Sequence, residues 1–174
     1  MADRGLDQSI QPMVASNAVG AKEETYLKFR LDAQTAAVIP ARSIQEAFIL
    51  PARQLTAMPN LPAALLGLTN RRNQIIWVVD LAQLLGLSIF DASTRQYNLL
   101  LIQVGMLQLG LAVHGIEGMV RLSTDRIQAP IGQMSVSLLP YLQGCTWTSQ
   151  NDQPEILLVL DAEAITQSPI LNSG

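Results

Sequence analysis

Asp80, Asp161, Cys145 and His114 are the side chains of this sequence whose types and placement could do acid/base or covalent chemistry. The two aspartates stand at equivalent places in two similar stretches, and a converging carboxylate pair could divide acid and base roles. Each also directly precedes a short helical stretch, and Asp80 has Gln83 three residues on, the spacing of an N-cap that satisfies free backbone N–H groups. Capping is the better account, because a repeat puts equivalent points in opposite halves. Cys145 and His114 could act as thiolate and base, but a nucleophilic thiol needs cationic neighbours and an orienting third group. Cys145 lies in Leu142-Gln143-Gly144-Cys145-Thr146-Trp147, an apolar strand context without a cation, and reads as a buried small hydrophobe. His114 reads as an ordinary strand-end residue before Gly115. With 1 cysteine and 1 histidine there is no metal-ligand cluster and no intrachain disulfide, which points to a reducing compartment. Gly105, Gly110, Gly115 and Gly118 follow no phosphate-cradling pattern and read as turns and bulges, so neither a cofactor nor a metal is expected.

Recognition chemistry is better represented. Arg71 and Arg72 stand in Asn70-Arg71-Arg72-Asn73, between two apolar runs. Isolated surface charges contribute little, but a forked guanidinium on a rigid turn can pair with both oxygens of a partner carboxylate. Trp77 and Trp147 occur on strands of the two similar stretches. Core packing is expected to account for at least one, and either would anchor a partner if it reached the surface. Charged residues make up 14% of the chain against an average of about 25%, so the surface must be unusually neutral and apolar, which suits protein partners. Lys+Arg 11 against Asp+Glu 14 gives a net charge of −3 with no basic block, which argues against nucleic-acid binding. The longest apolar runs, such as Ile75 to Val79 and Leu99 to Ile102, are far too short to span a membrane, and a cytoplasmic protein without membrane insertion is expected.

The elements that must position these residues are short strands. A chain of 174 residues fits one domain or two small ones and buries roughly 70% of its unfolded surface. Residues 1–24 show no period and read as a disordered tail. Tyr26, Lys28 and Arg30 then alternate with Leu27, Phe29 and Leu31, the pattern of a half-buried strand, and Asp32-Ala33-Gln34 turns it into Thr35 to Ile39. Ile44 to Leu50, Leu65 to Thr69 and Ile75 to Val79 follow, the last two joined by a turn with Asn73 at a positive-φ position. Asp80 opens a short helix stopped by Gly86. The plan then recurs: Asn98 to Val104 pairs with Leu107 to Val113, Met119 to Leu122 is a strand, Tyr141 to Thr148 pairs with Glu155 to Leu160, and Asp161 opens a second helix. Leu66-Gly67-Leu68-Thr69 and Gln143-Gly144-Cys145-Thr146 head the matching stretches, the mark of an internal duplication. The expected fold is mainly β: two packed five-stranded SH3-like barrels with short helices, lobe one about 25–90, lobe two about 95–166, a groove between them, and a short tail over 167–174.

With strand order and duplication in view, the chain resembles the CheW-like chemotaxis coupling proteins. Tyr26 to Leu31 looks like that family's first strand, and Ile44-Gln45-Glu46 like its Val-Gln-Glu step. Leu66-Gly67-Leu68-Thr69-Asn70-Arg71-Arg72-Asn73-Gln74-Ile75-Ile76-Trp77-Val78-Val79-Asp80-Leu81 looks like its Lys-Gly-Val-Asn-Leu-Arg-Gly-x-Ile-x-Pro-Val-Val-Asp-Leu core, with one residue inserted before the asparagine. The resemblance implies a protein without catalytic activity, an adaptor that couples the cytoplasmic tips of methyl-accepting receptors to the regulatory domain of a CheA-type histidine kinase. It also implies the site. Arg72 matches the arginine associated with receptor coupling, Asn70 matches the motif's asparagine, and Ile44 and Glu46 match groove-lining positions associated with receptor and kinase contact. Asn73 in place of the turn glycine, Trp77 in place of proline and His114 where aspartate is commoner suggest a divergent paralogue, with gliding, twitching and light-directed motility as candidate settings. Two other readings stand beside it: a scaffold of the same fold that binds a response regulator or a coupling paralogue, and a small cytoplasmic enzyme using the groove.

Overall fold

In the computed structural model, which describes residues 22–87, 91, 93–130, 132 and 134–172, the short apolar runs form strands and the two aspartates start helices. In chain order the elements are β1 (Glu23–Arg30), β2 (Ala36–Pro40), β3 (Ile44–Pro51), β4 (Leu65–Arg71), β5 (Gln74–Asp80), α1 (Leu81–Leu84), β6 (Gln96–Val104), β7 (Leu107–Val113), β8 (Gly115–Ser123), β9 (Leu142–Gln150), β10 (Gln153–Leu160) and α2 (Ala162–Thr166). They build two five-stranded sheets, β8-β1-β2-β10-β9 and β3-β6-β7-β5-β4. Each sheet curls on itself. In one, Gln128 and Cys145 exchange backbone hydrogen bonds of 2.8 Å in both directions, and in the other Thr56 and Leu68 do so at 2.7 and 2.9 Å. The fold is the expected pair of five-stranded barrels.

The duplication is present, but the lobes are not the halves of the chain. Each half supplies a hairpin (β1–β2, β6–β7) followed by three strands (β3–β5, β8–β10). Each barrel takes its hairpin from one half and its three strands from the other. Each union is made by one antiparallel and one parallel pair, β1–β8 and β2–β10 in one barrel and β3–β6 and β5–β7 in the other. Division at about residue 90 is therefore corrected: residues 25–90 and 95–166 are repeats, exchanged between barrels. The chain passes from one barrel to the other twice, through Ala41–Ser43 and through His114 alone.

The largest apolar cluster lies between the sheets. Leu27, Phe29, Ile39 and Leu160 of one sheet meet Val79, Leu100, Ile102 and Leu111 of the other, together with Leu81 and Leu84 of α1 and Ile165 of α2. The opposite faces of the same strands make two smaller clusters, Tyr26, Val38, Leu157 and Val159 in one barrel and Leu50, Val78, Leu99 and Ala112 in the other. Two expectations fall with this packing. The seam between the barrels is not a continuous open groove, because the chain's own side chains fill its centre and leave clefts only at its rims. Nor is β1 half-buried: Lys28 and Tyr26 are each only 1% exposed, since one face of the strand meets the seam and the other the barrel interior.

The ends differ as well. Glu23 and Glu24 already belong to β1, so the part of the expected tail that the structure describes is strand, and residues 1–21 lie outside the described residues. The expected C-terminal tail packs: Ser168 is buried and shares a 2.6 Å hydrogen bond with the Tyr141 hydroxyl, and Leu171 lies against the central cluster. No described helix is long and apolar enough to cross a membrane.

Candidate functional site

Among the described residues, the β4–β5 turn carries the cluster that unites residues singled out in the sequence. Arg71 and Gln74 end the ladder, and Arg72 and Asn73 between them have φ of +53° and +62°. Positive φ at both central residues is the two-residue hairpin turn whose twist matches that of the strands. Asn73 was expected there. Arg72 was not, since a side chain beyond Asn or Gly seldom enters the left-handed region.

Barrel closure brings β3 against this turn. Thr69 Oγ1 donates to the Gln54 carbonyl at 3.0 Å, and the Arg71 guanidinium reaches Glu46 on β3 through both Nε, 3.4 Å from Oε2, and Nη2, bonded to Oε1. The same guanidinium lies 4.1 Å from the centre of the Phe48 ring, a cation–π contact. Arg72 Nη2 is 3.5 Å from Glu46 Oε1. The Arg71 hydrogen bond, outweighing partial desolvation, holds the Glu46 carboxyl below its usual value, and the same bond raises Arg71. Side-chain exposure is graded: Glu46 21%, Arg71 35%, Arg72 78%.

Three residues thus converge, Glu46, Arg71 and Arg72, of which Arg71 carries no role implied by the family resemblance. Asn70 is exposed beside them, opposite Ile75. Ile44 is separated from Glu46 despite the two-residue spacing. A register shift lies between them, so Ile44 opposes Ile102 and packs on the central cluster, whereas Glu46 opposes Leu101.

The catalytic alternatives resolve into structural roles. Asp80 accepts from the Gln83 N–H at 3.2 Å and Asp161 from those of Glu163 and Ala164 at 3.0 and 3.2 Å, each capping its helix in a different sheet. Burial pushes the Asp80 carboxyl up against these lowering bonds, and Gln83 does not return the bond, its buried Oε1 accepting nothing among the described residues. Cys145 sits in the central cluster with its thiol pushed up by burial, and His114 is exposed on the crossover, its backbone N–H donating to the Arg30 carbonyl at 2.9 Å. Among the described residues no group of three His, Cys, Asp or Glu is placed to hold a metal ion. Neither tryptophan is core: Trp77 is 38% and Trp147 59% exposed, the latter opposite Ile156. A cleft of about 270 Å³ runs beside Trp77, between Leu65, Leu107 and Leu171.

A second ionic cluster escaped the sequence. Lys28 Nζ lies 2.7 Å from Glu155 and 3.0 Å from Glu117, and Arg30 bonds the other oxygen of each at 2.6 and 2.5 Å, closing a ring of four charges. Glu117 is the extra residue of a bulge against β1, next to Gly118 at φ +125°. Gly115 and Gly118 around Glu117 were the available signal, since glycine inside a strand marks such a bulge.

Comparison with known proteins adds the family. The model of the CheW-like domain matches residues 25–169. A curated relative described as a probable chemotaxis protein CheW, from Rhizobium etli, is 34% identical over 83 residues, 48% of this chain and 52% of its own length, so the match spans about half of that relative. Among solved structures, the scaffolding protein TtCheW from Thermoanaerobacter tengcongensis superposes with a TM-score of 0.66 at 17% identity, covering 80% of this chain and 90% of that one, a likeness of fold. Duplicated five-stranded barrels, the matched core motif and a family match over residues 25–169 lead to one conclusion: the chain belongs to the CheW-like domain family.

Proposed function

We propose that this protein is a non-enzymatic chemotaxis adaptor in the cytoplasm, coupling the tips of methyl-accepting receptors to the regulatory domain of a CheA-type histidine kinase. The observation that carries the reading is the Arg72 guanidinium, 78% exposed on a two-residue turn braced by Glu46 and Arg71, at the position that resembles the family's receptor-coupling arginine. Asn70 flanks it, Glu46 supports it from β3, and Ile44 anchors β3 from the core side. Because the centre of the seam is packed, contact runs over this turn and the exposed apolar side chains, Ile75, Trp77 and Trp147 among them. Coupling then needs no chemistry. Contacts that differ between kinase-on and kinase-off arrangements let receptor movement shift the population of kinase states.

In a reconstituted system with receptor and kinase, Arg72→Glu is expected to abolish receptor control of phosphorylation while the thermal melt stays within error. Control that survives the charge reversal intact removes Arg72 from the interface.

A further inference from the structure

Glu46 has one carboxylate and two arginines within reach. Arg71 takes both of its oxygens and is further fixed over Phe48, while Arg72 touches only the shared Oε1, at 3.5 Å. The two guanidiniums therefore compete for a single anion, and the cluster holds two positive charges against one negative. Its surplus lies on the more exposed member. The left-handed backbone at Arg72 points the same way, because non-glycine residues in that region are costly and are retained where a site uses them.

We infer that Arg71 is a specificity-determining residue: by occupying Glu46 it keeps the Arg72 guanidinium outward as the one cation the turn offers, fitted to a carboxylate on the partner. Without Arg71, Arg72 would fold down onto Glu46 and the turn would present a neutral pair. The receptor tip as that partner rests on the adaptor reading above; the competition for Glu46 does not.

The full chain tests it with three variants, R71M, which keeps an apolar contact over Phe48 without the fork, E46Q, and the double variant R71M/E46Q. Titrated against a purified receptor cytoplasmic fragment, R71M is expected to bind about fivefold more weakly than the parent. The double variant is expected to bind more tightly than R71M and so recover part of that loss, because the neutral amide that E46Q introduces holds Arg72 less strongly than the carboxylate does. A double variant as weak as R71M overturns the inference, since Arg71 would then touch the partner itself, and so does an R71M that binds like the parent. A partner-free readout is the Nε–H resonances of the arginines. In R71M the Arg72 Nε–H should become protected from exchange, and the double variant should reverse this; an unchanged Arg72 signal also overturns the inference. If the parent binds no receptor fragment, the adaptor reading fails and the Arg72 signal alone decides the competition.

Discussion

Lys28 is a cation taken out of water, and its environment dictates how the protein responds to pH. Burial lowers its pKa, but its hydrogen bonds to Glu155 and Glu117 outweigh that and hold the ammonium above its ordinary value. For Glu117 burial pushes the carboxyl up, yet the bonds from Arg30 and Lys28 win and hold it below the ordinary glutamate value. A depressed carboxyl adds stability that is present above its unfolded pKa, about 4.3, and disappears as pH falls through the folded value. A raised lysine adds stability that is present below about 10.4 and disappears only above it. Thermal melts should hold level near neutrality and fall below about pH 4.3, with a shallower acid limb in Glu117→Gln. Lys28→Ala leaves two carboxylates facing Arg30 alone, and a loss on the order of 3 kcal/mol is expected in urea unfolding, with Lys28→Met recovering part of it. A Lys28→Ala chain as stable as the parent would show that the ring is merely solvated surface.

At the scale of elements, the two barrels close by the same device. Gly67 and Gly144 occupy matching places on β4 and β9, and each lies against the segment that completes its barrel. A Cβ on Gly67 would stand 2.2 Å from the Thr56 carbonyl oxygen, and on Gly144 2.4 Å from that of Gln128. Backbone cannot yield as a side-chain tip does. Gly144→Ala is expected to destabilise by about 2 kcal/mol or more in denaturant titration, and to open the Gln128–Cys145 bridge in hydrogen exchange before the rest of the sheet. Equal exchange at that bridge in both proteins would refute this account. The strands themselves were legible, because apolar runs broken by turn residues fix where a strand starts and stops whatever its partners. The Arg72 turn was legible for the same reason. The Glu46–Arg71 pair was not, since 25 residues separate the two and only barrel closure brings them together. The burial of Lys28 was hidden likewise: alternation shows that β1 has two faces but not that both are covered.

Over the whole molecule the same limit appears in the exchange of strands. Similarity between the halves reveals a duplication, but either hairpin fits either triplet of strands, and nothing local records which union occurs. The physical consequence is testable. Residues 25–92 alone hold a hairpin and a triplet that belong to different barrels, so this fragment should show no cooperative unfolding, and adding residues 93–169 should restore it. Cooperative melting of the isolated half would contradict the interlocked arrangement.

The two crossings of the chain between barrels, three residues at Ala41–Ser43 and a single residue at His114, are the narrowest features of the fold. Flanked by a filled interior, tethers that short give the barrels little freedom to part. A push delivered at the arginine turn is then expected to reach Trp147 as displacement of the whole body, and unchanged distances between the barrels with and without a partner would check it.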